Sequence, residues 1–185
     1  MHSRIDQPPR TLARGSAMVM ATLAVLWWLS GAIALGGTVG VAVAVAGPVL
    51  GAVFFRLAAR RLPGHGEQEL YASAAGRFRT TNLVQAGAIA AVIALGNVTG
   101  ERGWIPGLIA VVVGLHFLPL AGPFARPEYR WVGGLMAALG AAGCGLAVAG
   151  APVSRVLAVV GLGSAAVLWA SVVWLLVTAD GPPAR

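Results

Sequence analysis

The sequence contains no lysine, a single cysteine and few charged side chains of either sign. Only 10% of its 185 residues are charged, whereas soluble proteins average about 25%, and this difference excludes a water-soluble globule. Cys144 stands alone, which excludes an intramolecular disulfide and a metal site built from several cysteines. The apolar interior therefore contains few reactive groups.

What the sequence does contain is a large apolar fraction rich in small side chains. Hydrophobic residues make up 58% of the chain and there are 26 glycines, a composition typical of closely packed membrane helices. We therefore predict an all-α integral membrane protein, with the lipid bilayer as its main surroundings.

Five stretches without Asp, Glu or Arg define the predicted spans. A bilayer core of about 30 Å needs about 20 helical residues, so four stretches of 21 to 24 residues hold one span each, and the 41-residue stretch from Gly15 to Phe55 holds two. Gly36, Gly37 and Gly40 favour a tight reversal inside it. The six predicted helices, which form one bundle, are 17–36, 39–57, 82–99, 104–122, 131–150 and 156–178.

The arginines predict the orientation of these helices. Eleven of the 13 fall in the tail 1–16, the loop 58–81, the loop after the fourth helix, the adjoining helix ends or the tail 179–185, and only Arg102 and Arg155 fall on the other side. Positive loops stay in the cytoplasm, so we predict a multi-pass protein of the bacterial inner membrane with both termini cytoplasmic. Topology explains the positive net charge, and we expect no nucleic-acid partner.

Two segments allow alternative interpretations. The first helix could be a cleaved signal peptide ending near Ala32-Ile33-Ala34, but its apolar run is longer than the 7–15 residues of such peptides, so we expect it to be retained. Glu67 to Arg79 fits a short helix on the membrane surface, with Leu70, Tyr71, Ala74 and Phe78 on its apolar face, and fits an ordinary connector equally well.

The fourth helix carries the strongest candidate for chemistry. Pro119 and Pro123 each lack an amide hydrogen and are expected to kink it, which frees the carbonyls of Leu115 and Pro119. His116 lies just before the kink, and an ionisable side chain within a span is a candidate functional group because its burial is costly. The alternative is that a neutral His116 forms one hydrogen bond and serves packing. No Cys, Asp or Glu shares its depth, so we expect neither a metal nor a cofactor.

Three tryptophans and two amides complete the predicted ligand site. Trp27, Trp28 and Trp169 fall near mid-span, where an indole N–H needs a buried partner. We predict a pocket in the membrane lined by Trp27 or Trp28, His116 and Trp169; simple space filling is the alternative. Asn82 and Gln85 are further candidates for this pocket, although a cap at the start of the third helix would explain them as well.

The segment from Gly114 to Tyr129 also supports a family resemblance. With its His-Phe-Leu-Pro core and the following Arg-Pro-Glu-Tyr, it resembles a group of small bacterial polytopic membrane proteins of unknown function. Asn82-Leu83-Val84-Gln85 is compatible with the same group. The resemblance covers about the central third of the chain and implies a bacterial integral membrane protein, without an activity, substrate or cofactor.

These observations favour one function and leave two others open. The first is a transporter-like or small-molecule-binding protein, with its site beside the fourth helix. The second is an accessory subunit whose glycine-rich helix faces bind a second copy or another membrane protein. A membrane enzyme ranks last, because catalysis needs at least two convergent reactive groups and the core offers one histidine and one cysteine on different helices.

Overall fold

The computed structural model describes residues 13–62, 67–122 and 128–179. Nearly all of these residues are helical, and no strand occurs among them. The helices are α1 (Ala13–Leu35), α2 (Gly37–Arg61), α3 (Glu67–Val98), α4 (Ile105–Leu120), α5 (Glu128–Val148) and α6 (Val153–Ala179), with a 3-10 turn at Arg102–Trp104 before α4.

Each of the six helices, with α4 counted together with the 3-10 turn before it, is long and apolar enough to cross a membrane, which confirms the predicted all-α bundle of six spans. Helices suit this environment because they satisfy their own backbone hydrogen bonds within a bilayer. The chain is therefore a multi-pass membrane protein. We call the end of the bundle that carries Arg14, Arg56, Arg60, Arg61, Arg79 and Arg130 the arginine-rich end.

Several helices extend beyond their predicted ends. The segment 58–81, predicted as a loop, is helical at 58–61 and again from Glu67. Glu67 to Arg79 is accordingly neither a separate surface helix nor a connector, but the beginning of α3; Leu70, Tyr71 and Ala74 have side chains outside the described residues. Charge-free runs mark the apolar part of a helix, whereas the helix continues until its backbone reaches water or a breaking residue.

The core of the bundle is formed by α1, α4, α5 and α6. The closest pairs are α1 with α6 and α4 with α5, while α5 also packs on α6. Outside this core, α2 packs mainly on α1 and α3 mainly on α4. Sequence neighbours therefore pack on each other except for α2 and α3, which lie on different sides of the core.

Glycines allow the two closest pairs to approach. A Cβ atom added to Gly161 of α6 would lie 2.6 Å from the amide nitrogen of Gly31 in α1, and one added to Gly133 of α5 would lie 2.6 Å from the carbonyl oxygen of Gly114 in α4. Any larger residue at these positions would push the helices apart. Since lipid provides little hydrophobic drive for helix association, such close contacts carry much of the packing energy.

Candidate functional site

A cavity of about 470 Å³ lies between α1, α3 and α4, towards the arginine-rich end. This volume falls within the range of about 300–1,000 Å³ found for small-molecule sites. Most of its wall is apolar, formed by Val19, Met20, Leu23, Phe78, Val113, Phe117 and Leu120, and its polar lining residues are Ser16, Asn82, Gln85, His116 and Tyr129. No charged side chain of the described residues lines it.

His116 contributes the most unusual group of this cavity. Its side chain is half-buried, and its Nδ1 atom is buried without a hydrogen-bond partner among the described residues. The imidazole lies near the backbone of Thr81 on α3, and its ring is edge-on to Phe117 at a centroid distance of 6.1 Å. An unsatisfied buried nitrogen is costly, so a partner brought by a ligand would stabilise this site.

Pro119, at which we predict a kink beside His116, lies in the last turn of α4. Pro119 is the second-last residue of α4, and the Ala121 amide then bonds to the Leu118 carbonyl at 3.3 Å, which is the tighter pattern typical of a helix end. Pro119 thus lies where α4 ends, and Pro123 lies outside the described residues. The last turns of α4 bury Phe117 in the bundle but expose Leu115.

Asn82 and Gln85 meet His116 at this cavity. They are three residues apart on α3, which places both on one face of the helix, and both are half-buried. Because α3 begins at Glu67, Asn82 lies in the helix interior, and the interpretation of these two residues as a helix cap is wrong. The structure therefore brings three of the six predicted ligand residues together.

The three tryptophans lie elsewhere. The Trp28 and Trp169 rings are 5.1 Å apart, with Phe54 next to Trp169, and the Trp28 indole donates a hydrogen bond to the Val43 carbonyl at 2.6 Å. Trp27 lines a smaller cavity of about 170 Å³ with Leu23, Leu26 and Ser30. The predicted single pocket lined by tryptophans and His116 is therefore wrong. The sequence indicates how deep in the membrane each side chain lies, but not the direction in which it points around its helix.

A buried contact between α1 and α5 was missed by sequence reasoning. The Tyr129 hydroxyl donates a hydrogen bond to Ser16 Oγ at 2.7 Å, and both residues line the cavity. A signal existed, since each residue lies near the arginine-rich end of an apolar helix. Pairing them, however, required knowing that α1 and α5 meet, which a sequence separation of 113 does not reveal.

The glycines of α5 divide between two faces. Gly133 and Gly140 contact α4, and Gly143 contacts α6 and α4, whereas a Cβ atom added to Gly134 or Gly145 would have no other group within 4 Å. Most of the glycine pattern that favoured an assembly surface is thus used inside the bundle.

The described residues contain no group of three His, Cys, Asp or Glu side chains that could hold a metal ion. Cys144 is half-buried on α5 beside Gly107 of α4, away from the His116 cavity. No protein-family model, curated protein or solved structure matches this chain. The resemblance seen in the Gly114 to Tyr129 segment stays a prediction.

Proposed function

We propose that this protein binds a small uncharged molecule in the cavity beside α4, as a transporter-like or carrier protein of the bacterial inner membrane. The observation that carries the proposal is the buried Nδ1 of His116, which has no partner among the described residues and lies in a cavity that also contains Asn82 and Gln85. Imidazole and amide groups both donate and accept hydrogen bonds, so together they suit a molecule with carbonyl or hydroxyl groups.

The lining also supports an uncharged ligand. A charge brought into a membrane cavity needs a partner of opposite sign, and the described lining offers neutral amides, hydroxyls and one imidazole. The proposal is one of binding, not catalysis. We further propose that the arginine-rich end faces the cytoplasm, which the positive-inside rule supports.

The accessory-subunit alternative receives less support. It relied on glycine-rich faces, and in α5 three of the five glycines pack against α4 or α6. Mass measurement in mild detergent separates the two functions, because an accessory subunit is expected to purify as an oligomer or with a partner.

Binding of duroquinone tests the proposal. This probe is an uncharged ring with two carbonyl groups and no chain, and its ring is fully substituted, so it does not add to Cys144. We expect saturable binding of one molecule per chain by native mass spectrometry, and at least tenfold weaker binding by His116→Phe. Leu115→Phe adds the same ring at the neighbouring exposed position and is expected to bind normally. Absence of binding, or equal effects of the two substitutions, would contradict the proposal.

A further inference from the structure

The wall of the His116 cavity is continuous with the lipid-facing surface of the bundle. Val19 and Leu23 line the cavity, yet 55% and 36% of their respective surfaces are exposed. The helices that form its two sides, α1 and α3, do not pack closely on each other among the described residues. The cavity therefore opens sideways, between α1 and α3, towards the bilayer.

A smaller cavity, which we call the groove, adjoins the His116 cavity along α1 at Leu23. Leu23 lines the His116 cavity and also the smaller cavity formed with Leu26, Trp27 and Ser30. Residues 23, 26, 27 and 30 follow the spacing of one helix face, and they lead from the middle of α1 (Ala13–Leu35) towards the end opposite the arginine-rich end. This second cavity, of about 170 Å³, is narrow and mainly apolar.

From this continuity we infer that the ligand is a lipid-soluble molecule with one apolar chain, of the quinone or quinol class. Its ring lies among His116, Asn82 and Gln85, and its chain passes Leu23 into the groove at Leu26 and Trp27. This inference rests on the proposed function and names its substrate class. A phospholipid fits less well, because it carries two chains and a charged phosphate for which the described lining has no cation.

Both oxidation states of such a ring suit the same residues. A quinone oxygen only accepts hydrogen bonds, whereas a quinol hydroxyl also donates one. The amides of Asn82 and Gln85 provide donors and acceptors, and Nδ1 of a neutral His116 donates to a quinone oxygen in one tautomer and accepts from a quinol hydroxyl in the other. The inference concerns binding and entry from the bilayer, and it involves no electron transfer by the protein.

The test blocks the apolar chain of the ligand from entering the groove. Affinity gained from the chain would not be informative, because lipid and detergent are as apolar as the groove and the chain adds little affinity. Decylubiquinone carries a chain, and duroquinone does not. Leu26→Trp fills the groove and is expected to weaken decylubiquinone binding at least tenfold while leaving duroquinone binding unchanged. Leu135→Trp, at an exposed position of α5 outside the cavities described above, is expected to change neither.

The outcomes separate the two proposals. If the wild-type protein binds duroquinone but not decylubiquinone, or if Leu26→Trp affects the two probes equally, the groove and the lateral entry are overturned while the binding function stands. If neither probe binds, the proposed function fails together with this inference. Selective loss of decylubiquinone in Leu26→Trp supports both.

Discussion

Helix α1 has two faces that behave in opposite ways. One face packs on α6 so closely that Gly31 and Gly161 leave no room for a methyl group. The other face, with Val19 and Leu23, borders a cavity and does not pack closely on α3. One rigid helix thus provides both the packed core and the wall of the candidate site. Stability and binding can therefore be changed separately in this protein.

The largest expected effect comes from the packed face. Gly161→Ala places a Cβ atom 2.6 Å from the Gly31 backbone, and overpacking of this kind costs about 1–3 kcal/mol. Gly87→Ala on α3 is the matched control, since nothing lies within 4 Å of its Cβ position. Thermal unfolding in detergent should show a lower Tm for the first variant only. Equal Tm values would mean that the α1–α6 contact is not tight.

On the cavity face, removal of the His116 imidazole is expected to change stability in the direction opposite to Gly161→Ala. His116→Leu replaces a buried nitrogen that has no partner in the described part of the chain, and relieving such a group is worth about 1 kcal/mol or more. We expect a Tm equal to or above that of the ligand-free wild-type protein, together with loss of duroquinone binding. A lower Tm with binding retained would favour the packing interpretation of His116.

The hydrogen bond between Tyr129 and Ser16, beside the cavity, is expected to have an intermediate effect on stability. Tyr129 and Ser16 connect α5 to α1 beside the cavity. In a double-mutant cycle with Tyr129→Phe and Ser16→Ala, we expect a coupling energy of about 1 kcal/mol in the free energy of unfolding. Additive single effects would show that this contact contributes nothing to stability.

The smallest expected effect is the difference in stability between two variants, Trp28→Phe and Trp169→Phe. Trp28→Phe removes a hydrogen bond to the Val43 carbonyl, whereas the Trp169 indole nitrogen has no partner among the described residues. Trp28→Phe and Trp169→Phe remove the same part of a ring. The difference between their free energies of unfolding therefore isolates the hydrogen bond, which is worth about 0.6 kcal/mol in a membrane protein. Equilibrium unfolding should show Trp28→Phe as the less stable variant. The reverse order would contradict this assignment.

Much of the fold was predictable because the length of an apolar run can be read directly along the sequence. Charge-free runs located all six spans, and Gly36 and Gly37 marked the reversal between α1 and α2, where both adopt positive φ. The start of α3 at Glu67 was not predictable in the same way, because polar residues continue a helix without leaving a signal in hydropathy.

The candidate site was predictable only in part, because it depends on rotation around each helix. His116, Asn82 and Gln85 were found because polar side chains are rare in spans. Trp27 and Trp28 are neighbours in sequence, yet successive helical residues point about 100° apart, and they reach different surroundings. The short connection between α3 and α4 favours their contact, but no pattern in the chain revealed that α2 and α3 lie on different sides of the core.

The reversal between α1 and α2 has a consequence for biogenesis. Gly36 alone separates the two helices, and its carbonyl already accepts the Gly40 amide at 2.8 Å. The tip therefore has no charged residue to translocate and few backbone groups to dehydrate. Both helices can enter the bilayer together from one side as a preformed hairpin, and the insertion machinery has no intervening loop to thread across.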